Sequence, residues 1–266
     1  MIVRGVDAVI SKTDYLYIWG NVLPLFLDTD INLINLEATL TTSTQKVLKT
    51  FNFKASPDKI NSLNAAKVTI ANLANNHILD FSTEGLIETI QTLDAAGIKH
   101  VGAGMNVKEA SEPALVIKNN ITTGVLGFTD NEPGWKAGNS AVGVNYIDIS
   151  EKNDRYKALQ SIIQLPKKAD IIIVSIHWGP NLKPEPSKKF IVFAHEMIDA
   201  GADIIHGHSA HNFQGIEIYN HKLILYDTGD FVDDYVVYPE LKNDHSFFSA
   251  LKLANKGYQN LNLSRF

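Results

Sequence analysis

Three histidines, His206, His208 and His211, fall within six residues in the stretch Ala202-Asp203-Ile204-Ile205-His206-Gly207-His208-Ser209-Ala210-His211. Imidazole is the commonest protein metal ligand, and it titrates near neutral pH. The apolar lead-in predicts a short buried strand that breaks at Gly207 into a loop. Alternation along that strand puts His206 and His208 on one face. The loop then returns His211 towards the same mouth, so that His208 and His211 can converge on one point if other ligands come from elsewhere. A polar turn of hydrogen-bonded histidines would use the same residues.

Other polar groups follow the same grammar. The apolar run Ile31 to Leu36 delivers Glu37, Val68 to Leu73 leads into Asn75-Asn76-His77, and Ile171 to Ile176 ends in His177. Open α/β sheets place their ligands beyond the carboxyl ends of strands. Oxygen donors from Glu and Asn, mixed with imidazoles, suit manganese, iron(II) or zinc. Such ions activate a bound water and polarise a phosphoryl or carbonyl group.

The elements that must position these groups can be read from punctuation and period. Met1 to Ile10 has no clear period, and Tyr15 to Leu27 predicts a short helix. Thr39 to Thr50 reads as a loop and Phe51 to Lys54 as a short strand. Ser56-Pro57 opens a helix to about Ala66. Ser82 or Thr83 caps a helix through about Ala96, stopped by Gly97. Ile98 to Val101 is a strand followed by a Gly102-Ala103-Gly104 turn. Ala114 to Ile117 and Ile121 to Phe128 form a hairpin about Asn119-Asn120. Thr129 to Asn145 is a long irregular loop, expected to line a cleft. Ser150 to about Leu165 is a helix ended by Pro166, and Ser187 caps another to Ala200. His195 lies on that second helix as a satisfied polar-face histidine. Two further hairpins are expected, Gln214 to Tyr219 with Leu223 to Asp227, and Phe247 to Leu253 with Tyr258 to Leu263 across Asn255-Lys256-Gly257. Strands alternate with helices early and become hairpins late, which predicts mixed sheets flanked by helices in one domain, residues 1–266.

Composition bounds the function. The 266 residues carry a net charge of −5 and 45% apolar residues. No basic run is present, so nucleic acid is not an expected partner. The absence of cysteine excludes disulfides, zinc–thiolate sites and a thiol nucleophile. No apolar run reaches the roughly 18 residues that span a bilayer, and no signal-peptide pattern is visible. Cytoplasm is the default expectation.

Taken in order, Asn35-Leu36-Glu37, Ala74-Asn75-Asn76-His77 with Asp80, His177-Trp178-Gly179 and Gly207-His208-Ser209-Ala210-His211 resemble the signature of the CapA (PGA_cap) family, the bacterial poly-γ-glutamate capsule synthesis proteins. The resemblance runs from Val3 to about Tyr235. It implies an α/β (α+β) fold like that of the calcineurin-like metallophosphoesterases, a four-layer sandwich of two mixed sheets flanked by helices. It implies Glu37 as a carboxylate bridging two metals and Asn76, His177 and His208 as ligands of the second metal. His211 is implied as a ligand of the first metal and His77 as general acid, oriented by Asp80. Asp230, in Gly229-Asp230-Phe231, is implied beside the site without ligating.

One departure matters. Family members open with a strand ending in Gly-Asp, followed by a hydrophobic pair, a small residue and Arg-Gly. Met1-Ile2-Val3-Arg4-Gly5 is expected to begin just after that Gly-Asp, so that the first strand and its metal-anchoring aspartate are missing. One tightly bound ion (Mn, Fe or Zn) is then expected. Arg4 is a candidate to hold an anionic substrate group by a charge-assisted bond. The expected function is capsule polymer biosynthesis, as a metal-dependent hydrolase of a phosphoester or γ-glutamyl amide using a metal-bound water. The alternatives are a non-catalytic accessory or scaffold subunit of a membrane synthase complex, or a general phosphodiesterase. The expected partner is an anionic polymer or phosphoester substrate. Family members are often membrane-anchored or extracytoplasmic.

Overall fold

A computed structural model describes residues 2–165, 168–254 and 257–265. In chain order the elements are α1 (Arg4–Ile10), a 3-10 turn (Tyr17–Val22), α2 (Leu23–Leu27), β1 (Leu33–Asn35), β2 (Thr39–Leu40), β3 (Lys54–Ala55), α3 (Ile60–Ala65), β4 (Ile70–Asn72), α4 (Ser82–Ala95), β5 (Lys99–Val101), β6 (Ala103–Gly104) and α5 (Val107–Ala110). There follow β7 (Ala114–Lys118), β8 (Ile121–Thr129), β9 (Gly143–Val144), α6 (Lys152–Gln164), β10 (Ile171–His177), α7 (Lys188–Asp199), β11 (Ile204–His208), β12 (Ile216–Tyr219), β13 (Lys222–Leu225), β14 (Phe247–Ala254) and β15 (Gly257–Arg265). This is a mixed α/β protein with several sheets flanked by helices, as the alternation of elements predicts.

The chain divides into two compact units. The first holds Met1–Glu112, Trp135–Asn145 and Val232–Val236, and the second holds Pro113–Gly134, Tyr146–Phe231 and Val237–Phe266. The first unit carries a three-stranded, wholly parallel sheet in the order β1-β4-β5. The second carries a six-stranded mixed sheet in the order β12-β13-β11-β10-β8-β7. Of the two main sheets, only this one is mixed.

β10 shows why the second sheet forms. Every residue of Ile171-Ile172-Ile173-Val174-Ser175-Ile176-His177 is buried, the near-continuous apolar run that a parallel strand covered on both faces requires. It pairs in parallel with β8 on one edge and β11 on the other. α7 buries Phe190, Phe193, Ala194, Met197 and Ile198, one stripe at helical spacing. That stripe joins Ile172, Val174 and Ile176 in one core. At the β7–β8 hairpin, Asn119 and Asn120 both have positive φ (52° and 63°), the backbone of a type I′ turn that asparagine tolerates. Gly97, with φ of 73°, stops α4 as expected.

Several expectations are corrected. Met1 to Ile10 contains helix α1, in which only Val6 and Ile10 are buried; seven residues with one i, i+4 pair give no readable period. Gly207 does not break its strand, because β11 runs through it to His208. A Cβ there would meet the Tyr226 carbonyl oxygen at 2.1 Å, so the glycine answers a close backbone approach rather than a bend. Neither Ser82 nor Thr83 caps α4. Phe81 takes the N-cap position, and the Ser82 hydroxyl donates to the Gln45 carbonyl at 2.8 Å. Ala103–Gly104 is a short strand paired with β9, not only a turn. Thr39–Leu40, within the expected loop, pairs with β3. The expected helix stop at Pro166 and most of the turn at Asn255-Lys256-Gly257 lie outside the described residues. Among the described residues no helix is long and apolar enough to cross a membrane.

Candidate functional site

In the first unit, β1 and β4 are neighbours in register, with Asn35 opposite Asn72. The chain leaves both strands at the same end of the sheet, and that end carries the polar groups. Asn75 ties the two exits together. Its Nδ2 donates to the Leu36 carbonyl at 2.9 Å and to Asn35 Oδ1 at 3.2 Å. Its Oδ1 accepts the His77 N–H at 3.0 Å. Glu37 is 4% exposed, and its Oε2 accepts from Asn35 Nδ2 at 3.1 Å. Asn76 Oδ1 is buried and has no hydrogen-bond partner among the described residues, a costly state for an amide oxygen unless another group fills it.

His77 and Asp80 form a tight dyad. His77 Nδ1 lies 2.6 Å from Asp80 Oδ2, and its Nε2 lies 4.0 Å from Glu37 Oε1. Asp80 is 0% exposed. It also accepts from the Phe53 N–H at 2.7 Å and from Lys49 Nζ at 3.3 Å, and Lys49 Nζ donates to the Asn76 carbonyl too. A carboxylate so held fixes one imidazole nitrogen and leaves the other for chemistry. The Phe53 ring packs on His77 with centroids 4.3 Å apart.

Arg4 packs against the same phenyl ring. Its guanidinium lies 5.0 Å from the Phe53 centroid and 5.4 Å from that of Tyr235. Its Nε donates to Asp234 Oδ1 at 3.0 Å, its NH2 group bonds the same carboxylate, and the Gly5 N–H donates to Asp234 Oδ2 at 2.9 Å. The candidate substrate cation is thus engaged by a carboxylate and one ring removed from the dyad.

In the second unit, β10 and β11 run in parallel with His177 opposite His208. Both rings are buried, at 0% and 5% exposure, and their Nδ1 atoms lie 2.9 Å apart. That is a hydrogen-bond separation, and it sets the two imidazole nitrogens face to face. Burial pushes the His208 pKa well down, and His177, His206 and His211 push it in the same direction. Burial alone lowers His206 to about 4. His206 and His208 are therefore neutral near pH 7, the form in which an imidazole ligates a metal.

His211 lies in the loop after β11 with φ of 57°. Its Nδ1 meets Asp230 at 2.9 and 3.2 Å, which orients the ring as a carboxylate orients a metal-ligating histidine. Asp227 accepts N–H bonds from Ala210 at 2.6 Å and Gly229 at 2.8 Å. Burial nevertheless pushes its carboxyl up to about 8. Asp130 is raised by burial and restrained by the Gly179 N–H it accepts at 3.0 Å. His195, as expected, is a satisfied histidine: it bonds Glu217 at 3.0 Å and its ring stacks on Tyr219.

Each predicted residue except Arg4, which opens α1, thus lies at a strand exit or in the loop that follows. The first unit gathers Glu37, Asn76, His77 and Asp80, with Arg4 against Phe53. The second gathers His177, His208, His211 and Asp230. Sequence reasoning missed Asn75, Lys49, Ser175 and Asp227. Asn75 sits beside Asn76, already singled out at a strand end, and Asp227 closes the expected hairpin strand Leu223 to Asp227; those positions were their signal. Lys49 had none.

The donor types present, Glu37 in one unit and His211 with Asp230 in the other, are those that hold a metal ion. The fold and these groups define an α/β protein with oxygen and imidazole donors at the carboxyl ends of parallel strands. The chain belongs to the family of the bacterial capsule synthesis protein PGA_cap, whose profile matches residues 1–235. It is 36% identical to a probable polyglutamine synthesis accessory protein of Mycobacterium tuberculosis, covering 90% of this chain and 65% of that protein. It is 31% identical to the capsule biosynthesis protein CapA of Bacillus anthracis, covering 88% of this chain and 58% of that protein. The PGA biosynthesis protein CapA of Bacillus subtilis is also 31% identical, with 88% and 61% covered. The chain spans less than two thirds of the length of these relatives. In fold it is similar to a hypothetical protein from Thermus thermophilus, with a TM-score of 0.58, 11% identity, and 95% and 93% of the two chains covered.

Proposed function

We propose that this chain acts in the biosynthesis of a bacterial poly-γ-glutamate capsule, as a metal-dependent hydrolase of a phosphoester or γ-glutamyl amide bond. One observation carries the reading: in each unit the donors emerge at the carboxyl ends of adjacent parallel strands paired in register. The names of the Bacillus relatives supply the pathway.

The residues fit a divalent ion. Asn76 Oδ1 is buried without a hydrogen-bond partner among the described residues, and a hard cation is the group such an oxygen accepts. The reading takes residues 1–266 as one domain. The metal-binding residues proposed are Glu37 and Asn76 within the first unit, and His177, His208 and His211 within the second, with Asp230 behind His211. Manganese, iron or zinc suits this mixture, with one tightly held ion. Such an ion, when bound, polarises the scissile phosphoryl or carbonyl group and lowers the pKa of water.

The chain's own residues do the rest. His77 holds a proton for the leaving group on Nε2, while Asp80 fixes Nδ1 and stabilises the imidazolium. Phe53 keeps that ring in place. Arg4, held over Phe53 by Asp234, would offer positive charge to an anionic polymer only by exchanging that carboxylate for the substrate's.

A second reading is favoured by the word "accessory" in the name of the mycobacterial relative. There the chain is a non-catalytic subunit of a polymer synthase complex. Elemental analysis of the dialysed protein beside His208→Ala separates the two. About one equivalent of Mn, Fe or Zn in wild type, lost in the variant, supports the hydrolase. Turnover of γ-glutamyl oligomers or of a phosphoester panel then identifies the bond. No metal and no turnover leaves the accessory role.

A further inference from the structure

Ser175 is the one hydroxyl in the buried run of β10, and it is 0% exposed. Its Oγ lies 3.0 Å from His206 Nδ1 and 3.2 Å from His208 Nε2. The register explains this: Ser175 is opposite His206 and His177 opposite His208 on adjacent parallel strands. With a period of two, all four side chains share one face. The result is a continuous chain of contacts, His177 to His208 to Ser175 to His206.

A hydroxyl carries one proton and two lone pairs. Placed between two imidazole nitrogens, it accepts from one ring and donates to the other, so the two tautomers are locked together. In one direction His208 Nε2–H donates to Ser175 Oγ, Ser175 donates to His206 Nδ1, and His206 carries its own proton on Nε2. In the other, His206 Nδ1–H donates to Ser175, and the His208 proton is left on Nδ1. Neutral histidine carries its proton on Nε2 by preference, and the first direction puts both rings in that form. It also leaves the His208 Nδ1 lone pair on the side of His177, whose Nδ1 is 2.9 Å away.

We propose that Ser175 and His206 are positioning residues that fix the His208 ring as its Nε2–H tautomer and so present its Nδ1 lone pair to a divalent metal ion. The inference rests on the metal reading above. Metal-ligating histidines usually donate their second N–H to a carboxylate, a carbonyl or water, and loss of that partner typically weakens metal binding 10–100-fold. Here the partner is a buried hydroxyl, backed by a second imidazole in place of a carboxylate.

Two measurements on the full chain test it: imidazole ¹⁵N–¹H correlation spectra without metal, and calorimetric titration with zinc alone. In wild type, His206 and His208 are expected as Nε2–H tautomers. Ser175→Ala is expected to keep the circular dichroism of the fold, mix the His208 tautomers and weaken zinc binding by about 10–100-fold. Ser175→Thr, which keeps the hydroxyl, is expected to restore both. His206→Phe, which removes the acceptor of the hydroxyl proton, moves both readouts as the alanine variant does, by less. These last two variants carry the test if Ser175→Ala folds poorly. A His208 Nδ1–H tautomer in wild type overturns the proposal. So does Ser175→Ala with unchanged tautomer and unchanged zinc affinity. Wild type that shows the Nε2–H tautomers but binds no zinc refutes the metal reading and, with it, the ligand-presenting role.

Discussion

His206 sets a pH dependence whose sign is fixed. Its pKa in the fold is lowered to about 4 by burial, against about 6.5 when unfolded. Below about 6.5 the unfolded chain binds a proton that the native ring refuses, so the unfolded state is favoured as pH falls. The stability present at pH 7 is lost progressively between about pH 6.5 and pH 4, by roughly 2–3 kcal/mol from this ring. Urea unfolding at pH 7 and pH 5 checks this: His206→Gln, which does not protonate there, is expected to lose less stability over that interval than wild type. An equal loss in both would assign the acid sensitivity to other groups. At this scale the sequence was informative about kind but not about pairing. Glu37, Asn76, His77, His177 and His208 were visible because each follows an apolar run. Arg4 was visible as a cation, but its engagement with Asp234 joins residues 230 positions apart, and no local spacing encodes that.

Among the elements, Gly207 has the clearest consequence. Its missing Cβ lets the backbone at Tyr226 pass beside β11. Gly207→Ala is expected to displace one of the two strands and to cost about 1–3 kcal/mol of overpacking. It should also weaken metal retention, because His208 is the next residue. Thermal unfolding and metal content of the variant check both parts, and a variant with wild-type melting and metal would show that the strands move apart freely. The same glycine shows why local reading ran out. A Gly between two histidines signals a break when only neighbours along the chain are considered. The reason for it lies on a segment 19 residues later in sequence, pressed against the strand. Elements held by their own period or turn chemistry, such as β10, α7 and the Asn119-Asn120 hairpin, were legible. α1 and the two-residue pairings β2–β3 and β6–β9 were not, because so few residues carry no period and their partners are distant in sequence.

For the whole molecule, a net charge of −5 means that the general field repels a polyanion. Recognition of an anionic polymer has to come from positive charge within a Debye length, about 8–10 Å, of the site. The central placement of β10 and β11 has a further consequence. Each is hydrogen-bonded along both edges, β10 by β8 and β11, and β11 by β10 and β13. Amides in such strands exchange with deuterium only when the surrounding unit opens as a whole. The spacing between His177 and His208 is thus paid for by the sheet before an ion arrives. Chelation is therefore expected to leave deuterium uptake in Ile173–Ile176 and Ile205–Gly207 unchanged. Uptake should rise in the loop from Ser209 to Gln214, so that metal loss reads as a loosened rim around a rigid floor.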